Sequence, residues 1–230
     1  MVTHHDVQQI ARTTMDLARQ HIRAGQTLAS VREYCERSLR SLGADSFWYW
    51  DIGAFVFCGE STVESVSGRD YQTPDRVIQF NDIITVDLSP QRGGVWGDFA
   101  RTILVQDGRA LLDSHRTTNA EWSAGIQAQE FLHTQLLARA EPSMRFEELH
   151  TMMNRCIDEL GFENLDFMGN LGHSIERDRD DRVYIEQGNS RRLADVQFFT
   201  FEPHIRRPGA TVGFKHENIY YFEEDQLTEL

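Results

Sequence analysis

Asp87, in "NDIITVDL", and Asp98, in "GDFART", stand eleven residues apart on two runs patterned as strands that face a packed interior. Further along, His173 sits in "LGHSI", Glu202 in "FTFEP" and Glu217 in "FKHENIYYF", again on strand-like or glycine-flanked stretches. Burying a carboxylate is costly unless a cation or a hydrogen-bond network meets it. Singly, each residue has an ordinary explanation: Asp87 capping a turn, Asp98 pairing with Arg101, His173 satisfied in the core, Glu202 and Glu217 half-exposed on strands. Together, four carboxylates and one imidazole make a hard-to-borderline donor set with excess negative charge. Such a set suits two divalent cations bridged by carboxylates.

The elements that must position these residues can be laid out from the pattern of apolar positions and breakers. Residues 5–23 carry Val7, Ile10, Ala11, Met15, Ala18 and Ile22 at helical spacing, Gly25 stops that helix, and Thr27 caps a second one running to about Leu42. "SFWYWDIGAFVFCGES" is aromatic and β-branched, so it is expected to be a strand ending at Gly59, followed by an irregular polar stretch over 60–80. A strand near 83–88 and its antiparallel partner "VWGDFARTILVQ" are joined by a turn at Gly93-Gly94. A long helix is expected over about 110–140, broken by Glu141-Pro142, and then a helix ended by Gly161. The charged segment 176–192 is expected to be a surface loop, solvated more than catalytic, although it follows His173 closely enough to rim the cleft, and "ADVQFFTFEPHI" and "TVGFKHENIYYF" are expected to be the last two strands. The order helix–helix–strands occurs twice, which favours an α+β fold with a mainly antiparallel sheet over a series of βαβ units. No low-complexity linker divides the halves, about 1–108 and 109–230, so one domain over 1–230 is expected.

The formal net charge of −13 argues against nucleic acid or an anionic membrane surface as partner. Cys35, Cys58 and Cys156 form no CxxC pair, so neither a zinc knuckle nor a disulfide framework is suggested. No apolar run approaches membrane-spanning length and the N-terminus lacks a signal-like apolar segment, so a cytoplasmic protein is expected. Lys215 is the only lysine.

In the order and type of its motifs the chain resembles the pita-bread metallopeptidases: methionine aminopeptidase, aminopeptidase P and prolidase, with creatinase as a non-peptidase relative. "NDIITVDL" matches their Gly-Asp-hydrophobic-Asp strand and "GDFART" their Asp-x-x-Arg-Thr. "LGHSI" matches Gly-His-Gly-Ile, "FTFEP" matches Thr-hydrophobic-Glu-Pro, and "FKHENIYYF" matches the terminal strand with the last glutamate. The likeness runs from about residue 6 to the C-terminus, and the extra N-terminal domain of aminopeptidase P and prolidase has no counterpart. It implies two pseudo-symmetric halves with helices packed on a curved sheet. It also implies two divalent ions (Mn, Fe, Co or Zn), with Asp87 on one, His173 and Glu202 on the other, and Asp98 and Glu217 bridging both. Glu202 would pass a proton to and from a bridging water whose pKa the two cations lower. The implied substrate is a short peptide or another small amide or C–N compound, and a homodimer is compatible with the likeness.

Three family histidines that position substrate are missing: residues 51–86 hold none, and the other two positions are Gly169 and Asp180. Ser174 and Glu176 replace two motif glycines. Losing one donor to a developing oxyanion typically costs about 3–4 kcal/mol in the transition state, so other residues must take over or the reaction differs. His204, two residues after Glu202, is expected to face the site as a proton donor or acceptor, and Lys215, two before Glu217, to hold a substrate carboxylate, while His216 faces away. Phe47, Trp48, Tyr49 and Trp50 are expected in the core more than on a substrate wall. A metal-dependent hydrolase is the leading reading; iron- and oxygen-dependent redox chemistry at the same donor set, and a binding protein without catalysis, are the alternatives.

Overall fold

The computed structural model describes residues 1–230. Helix α1 (His4–His21) starts at a capping box in which Thr3 and Asp6 satisfy each other's backbone N–H groups, and it buries Val7, Ile10, Ala11, Met15 and Ala18. Helix α2 (Leu28–Ser41) is capped by Thr27, as expected, and Gly25 before it takes a left-handed φ of 88°. Both helices pack on one face of a four-stranded antiparallel sheet ordered β2–β3–β6–β7, comprising β2 (Ala54–Cys58), β3 (Asp82–Leu88), β6 (Phe99–Gln106) and β7 (Arg109–Ala110). Small strands β1 (Ser46–Phe47), β4 (Pro90–Arg92) and β5 (Val95–Trp96) form a separate sheet beside it.

The second half repeats the plan. Helices α3 (Ala120–Arg139) and α4 (Phe146–Glu159) share a core with strands β9 (Phe199–Phe201) and β12 (Asn218–Glu223). Strand β12 is flanked by β9 and by β13 (Gln226–Glu229), while β10 (His204–Arg206) lies between β8 (Glu163–Asn164) and β11 (Phe214–Lys215). All strand pairs are antiparallel. This is the expected α+β pita-bread arrangement.

Several boundaries differ from the sequence expectation, each for a local reason. The stretch 46–59 is not one strand: Trp50 and Asp51 take left-handed φ values of 56° and 57°, which turns the chain between β1 and β2. Helix α3 begins ten residues later than expected, because Asn119 accepts from the N–H groups of Glu121 and Trp122 and so caps it there. The expected partner of β3 is two pieces: Val95–Trp96 pairs back on β4, and only Phe99–Gln106 pairs with β3. The expected last two strands are four short ones, interrupted at Glu202-Pro203 and at His216-Glu217, and β13 follows them. Asp98, Glu202 and Glu217 therefore stand in breaks between strands, where a side chain is free of the pleat's alternation.

The halves are stitched together along β6. Glu217 N–H donates to Ala100 O (3.0 Å), and Arg101 donates to Glu217 O and to Asn218 Oδ1, both at 2.6 Å. One residue on, Thr102 Oγ1 accepts from Lys215 N–H (2.8 Å) and donates to Lys215 O (3.1 Å). This seam brings residues near 98 beside residues near 217.

Candidate metal centre

Asp98 is fixed through its backbone. Buried Gln8 on α1 donates to Asp98 O (2.7 Å) and accepts from Asp98 N–H (3.0 Å), and Trp48 Nε1 donates to the neighbouring Gly97 O (3.1 Å). Arg101 does not pair with Asp98: its guanidinium lies over the Phe99 ring, 3.8 Å from the centroid, and is spent on the seam. Asp87 comes from β3, opposite Ala100 of β6.

His173 follows Gly172, whose φ is 141° and whose absent Cβ would lie 2.3 Å from Thr200 O. No other residue type fits that close approach. Thr200 in turn accepts from His173 N–H (3.0 Å) and reaches Glu202 Oε1 (3.2 Å), so one hydroxyl orients two candidate ligands. Gly172→Ala is expected to destabilise the fold by at least about 1–3 kcal/mol, the usual cost of overpacking a tight site, and to weaken metal binding; thermal melts and metal titration check both. Ser174 is fully buried, and its Oγ accepts from Val183 N–H (2.9 Å), so it adds no bulk to the site. Glu176 does not line the cavity.

The electrostatics ask for a cation. His173 Nδ1 lies 2.9 Å from Ser174 O, an acceptor only, so the proton is on Nδ1. Burial pushes the imidazole down to about 4, leaving it neutral at pH 7. Its Nε2 lone pair thus faces Asp98 Oδ2 at 3.5 Å and Glu202 Oε1 at 3.7 Å, lone pair against lone pair. Both carboxylate oxygens of Glu217 are buried without a hydrogen-bond partner. Asp87, Asp98 and Glu217 present oxygens that all lie within 4.8 Å of one another. Burial, then neighbouring negative charge, raises Asp98 and Glu217 well above the carboxylate range. A donor set of this kind, with an orphaned Glu217 and a metal-ready imidazole, fits a divalent cation.

Lys215 departs from its expected role. Its Nζ lies 2.6 Å from Asp87 Oδ2, 3.0 Å from Glu202 Oε2 and 4.0 Å from Glu217 Oε2, so it is held by protein carboxylates instead of awaiting a substrate anion. Burial lowers the ammonium's pKa, but Asp87, Glu202 and Glu217 outweigh it and hold it well above the ordinary value. Burial likewise pushes Glu202 up, but Lys215 holds it down. His204 lines the cavity, yet its Nε2 donates to Thr62 O (2.7 Å) and burial lowers it to about 4, so it has no spare proton to give. His216 faces away and packs on His133. On α3, Gln129 donates to Pro203 O and Phe214 O, both at 2.7 Å, which fixes the strands carrying His204 and Lys215.

The centre opens into a cavity of about 530 Å³. Trp48, Tyr49 and Trp50 line it, because the turn at Trp50-Asp51 lays them along the opening; Trp48 is at the same time a core residue, as expected, packed with Trp96 and Phe198, and Phe47 lies in the core of the first half. Trp48 stacks on Trp96 (4.6 Å, 2°) and meets His173 edge-on at 5.5 Å. The charged segment expected to be solvated sends Arg182 over Trp48, Tyr49 and Tyr184, and Arg179 over Trp50 at 4.0 Å. The segment does rim the cavity, but Arg179, Arg182 and Tyr184 within it, and Asp166 before it, were not legible individually, because nothing local marks which side chains turn back to the cavity. Thr200 and Gln8 were also missed, although Thr200 stands only two residues before Glu202 and bonds to it.

The sequence matches the family model described as Metallopeptidase family M24 over residues 3–224. The chain belongs to metallopeptidase family M24. This family member is similar in structure to a prolidase from Pyrococcus furiosus, with a TM-score of 0.80 and 19% identity, over 98% of this chain and 61% of that one. It is also similar to an X-Pro aminopeptidase from Thermotoga maritima, with a TM-score of 0.76 and 21% identity, over 97% of this chain and 58% of that one. The His350Ala form of Escherichia coli aminopeptidase P matches with a TM-score of 0.76 and 19% identity, over 97% and 53% of the two chains. The M24 chain thus spans roughly half to three-fifths of the length of these structures. No curated protein matches it. No helix is long and apolar enough to cross a membrane.

Proposed function

We propose that the chain is a metal-dependent hydrolase of peptides or small amides, with Asp87, Asp98, His173, Glu202 and Glu217 as its ligand set. The observation that carries the reading is the pairing of an orphaned, buried Glu217 carboxylate with a neutral His173 whose lone pair faces Asp98, at the base of an open cavity in an M24 chain. A bound divalent cation would supply Lewis acidity to an amide carbonyl and lower the pKa of water. Two such ions are what the family likeness implies.

This chain's own residues would do the rest. Glu202, kept ionised by Lys215, is the group placed to take and return a proton at the cavity floor. Trp48, Tyr49 and Trp50 give the cavity an aromatic wall, and Arg182 and Arg179, lying over Trp48 and Trp50, bring positive charge to it, which suits a substrate with an apolar or aromatic part and an anionic end. A second reading, hydrolysis of a C–N bond in a non-peptide small molecule, is favoured by one observation. Where the likeness expects substrate-positioning histidines, Gly169 has open space around it and Asp180 stands on the cavity wall.

The test is turnover of a panel of Xaa-Pro dipeptides, Met-initiated peptides and N-acyl amino acids by metal-loaded protein, with chelated protein as control. Peptide turnover is expected to fall well below the usual ~10 s⁻¹ of enzymes, with aromatic, carboxylate-bearing substrates preferred. Absence of any metal-dependent hydrolysis across the panel would defeat the reading.

A further inference from the structure

We propose that Lys215 is a built-in cation that takes one of the two positive positions in the carboxylate cluster, so that the centre holds a single divalent ion per chain. The inference rests on the metal-dependent reading above and changes the count of ions that reading implies. Its basis is the placement of one side chain. Lys215 Nζ sits between Asp87 (2.6 Å) and Glu202 (3.0 Å), which the likeness assigns to different ions, and within 4.0 Å of bridging Glu217.

The arm is held, not loose. Its backbone N–H and C=O both engage Thr102 Oγ1, the preceding Phe214 O is held by Gln129, and the side chain is 17% exposed. An ammonium makes N···O contacts of about 2.7–2.9 Å to carboxylates, whereas metal–carboxylate bonds are about 2.0–2.2 Å. The oxygens that grip Lys215 are thus spaced for an ammonium, and a metal ion cannot share that position with it.

What remains is a place for one ion. Glu217 Oε1 and Oε2 have no hydrogen-bond partner, the Asp98 carboxylate receives no hydrogen bond, and His173 Nε2 points at Asp98. Asp98 and Glu217 would hold the ion, with His173 on one flank and the Asp87 oxygen not engaged by Lys215 on the other. Being the chain's only lysine, Lys215 has no neighbour of its type to substitute for it.

Metal stoichiometry tests this without a substrate. The protein is stripped with chelator, titrated with Mn(II) by calorimetry, and examined by electron paramagnetic resonance. Wild type is expected to bind one equivalent and show the signal of an isolated Mn(II). Lys215→Met, and Lys215→Gln as a second variant that retains a hydrogen-bond donor, are expected to bind two equivalents and show a spin-coupled pair. Two equivalents in wild type, or one in a folded Lys215 variant, would overturn the inference while leaving the metallohydrolase reading intact. A folded wild type that binds no Mn(II), Zn(II), Co(II) or Fe(II) would overturn both. The wild-type count decides the matter even if neither variant folds.

Discussion

Asp98→Ala is expected to abolish tight metal binding and to lower metal-dependent hydrolysis by more than about 100-fold. Losing a residue that merely supports a metal ligand typically costs 10–100-fold in affinity or activity, so losing a central ligand should exceed that range. Asp98 is the carboxylate that both His173 and the Asp87–Glu217 group approach, and Gln8 clamps the backbone that carries it. The same change should have the opposite sign on the metal-free fold. There, Asp98 is a buried carboxylate with no hydrogen-bond donor, raised by burial and by the charges of Asp87 and Glu202. Removing it relieves that cost, so chelated Asp98→Ala should melt no lower than chelated wild type, while the metal-loaded wild type melts highest. Calorimetric titration and paired melts with and without chelator measure both effects. Retention of tight metal binding in the variant would remove Asp98 from the ligand set.

The second large effect is the response of stability to metal and pH. Metal at one hundred times its dissociation constant should stabilise the native state by about 2.7 kcal/mol, which for a chain of this size raises Tm by roughly 5–10 °C. The pH dependence separates the groups involved. Burial depresses His133 to about 3 and His173 and His204 to about 4, so all three are neutral in the fold. Their contribution is fully present above the ordinary histidine pKa of about 6.5 and is lost as pH falls toward those values. Above about pH 7 they add no slope. Asp98 and Glu217 run the other way: with folded pKa values raised, their contribution is full below about pH 4 and is lost as pH rises through the folded values. Above about pH 7, where the histidines add no slope, any remaining pH dependence from these two carboxyls is therefore expected to be a fall in the Tm of the metal-free protein. Metal must displace those protons to bind, so its stabilisation should grow over the same interval. Melting curves at several pH values, with Mn(II) and with chelator, give the result directly. A metal-free Tm that climbs through this interval would show that Asp98 and Glu217 ionise freely in the fold.

How far the molecule was legible before its structure can be argued from particular residues. Thr27 capping, the Gly161 stop and the apolar spacing of the first helix are local signals, and the structure places them as expected, whereas the first helix ends at His21 with Ile22 as its cap, short of the Gly25 stop. The α+β class and the family also came from the sequence, because five short motifs in fixed order survive even where overall identity to solved structures is about 20%. Local rules failed where the chain breaks its own regularity. Aromatic richness reads as strand whether the residues pair in a sheet or wrap a turn, so the left-handed pair at Trp50 and Asp51, which brings Tyr49 and Trp50 to the cavity wall beside the core residue Trp48, has no local signature. A run of arginines and aspartates reads as solvated unless distant aromatic rings wait for it, and Trp48 and Trp50 are about 130 residues away in sequence from Arg179 and Arg182. Lys215 does reach the carboxylates, although Glu217 lies in a break where strand alternation does not hold, and its role depended on Asp87, which lies on the other half of the chain. Sequence determined which residue types could converge. Only the tertiary structure, through the seam along β6, decided that Lys215 would pair with Asp87 and Glu202, because an ion pair between distant residues is set by the packing of two sheets and by no local pattern.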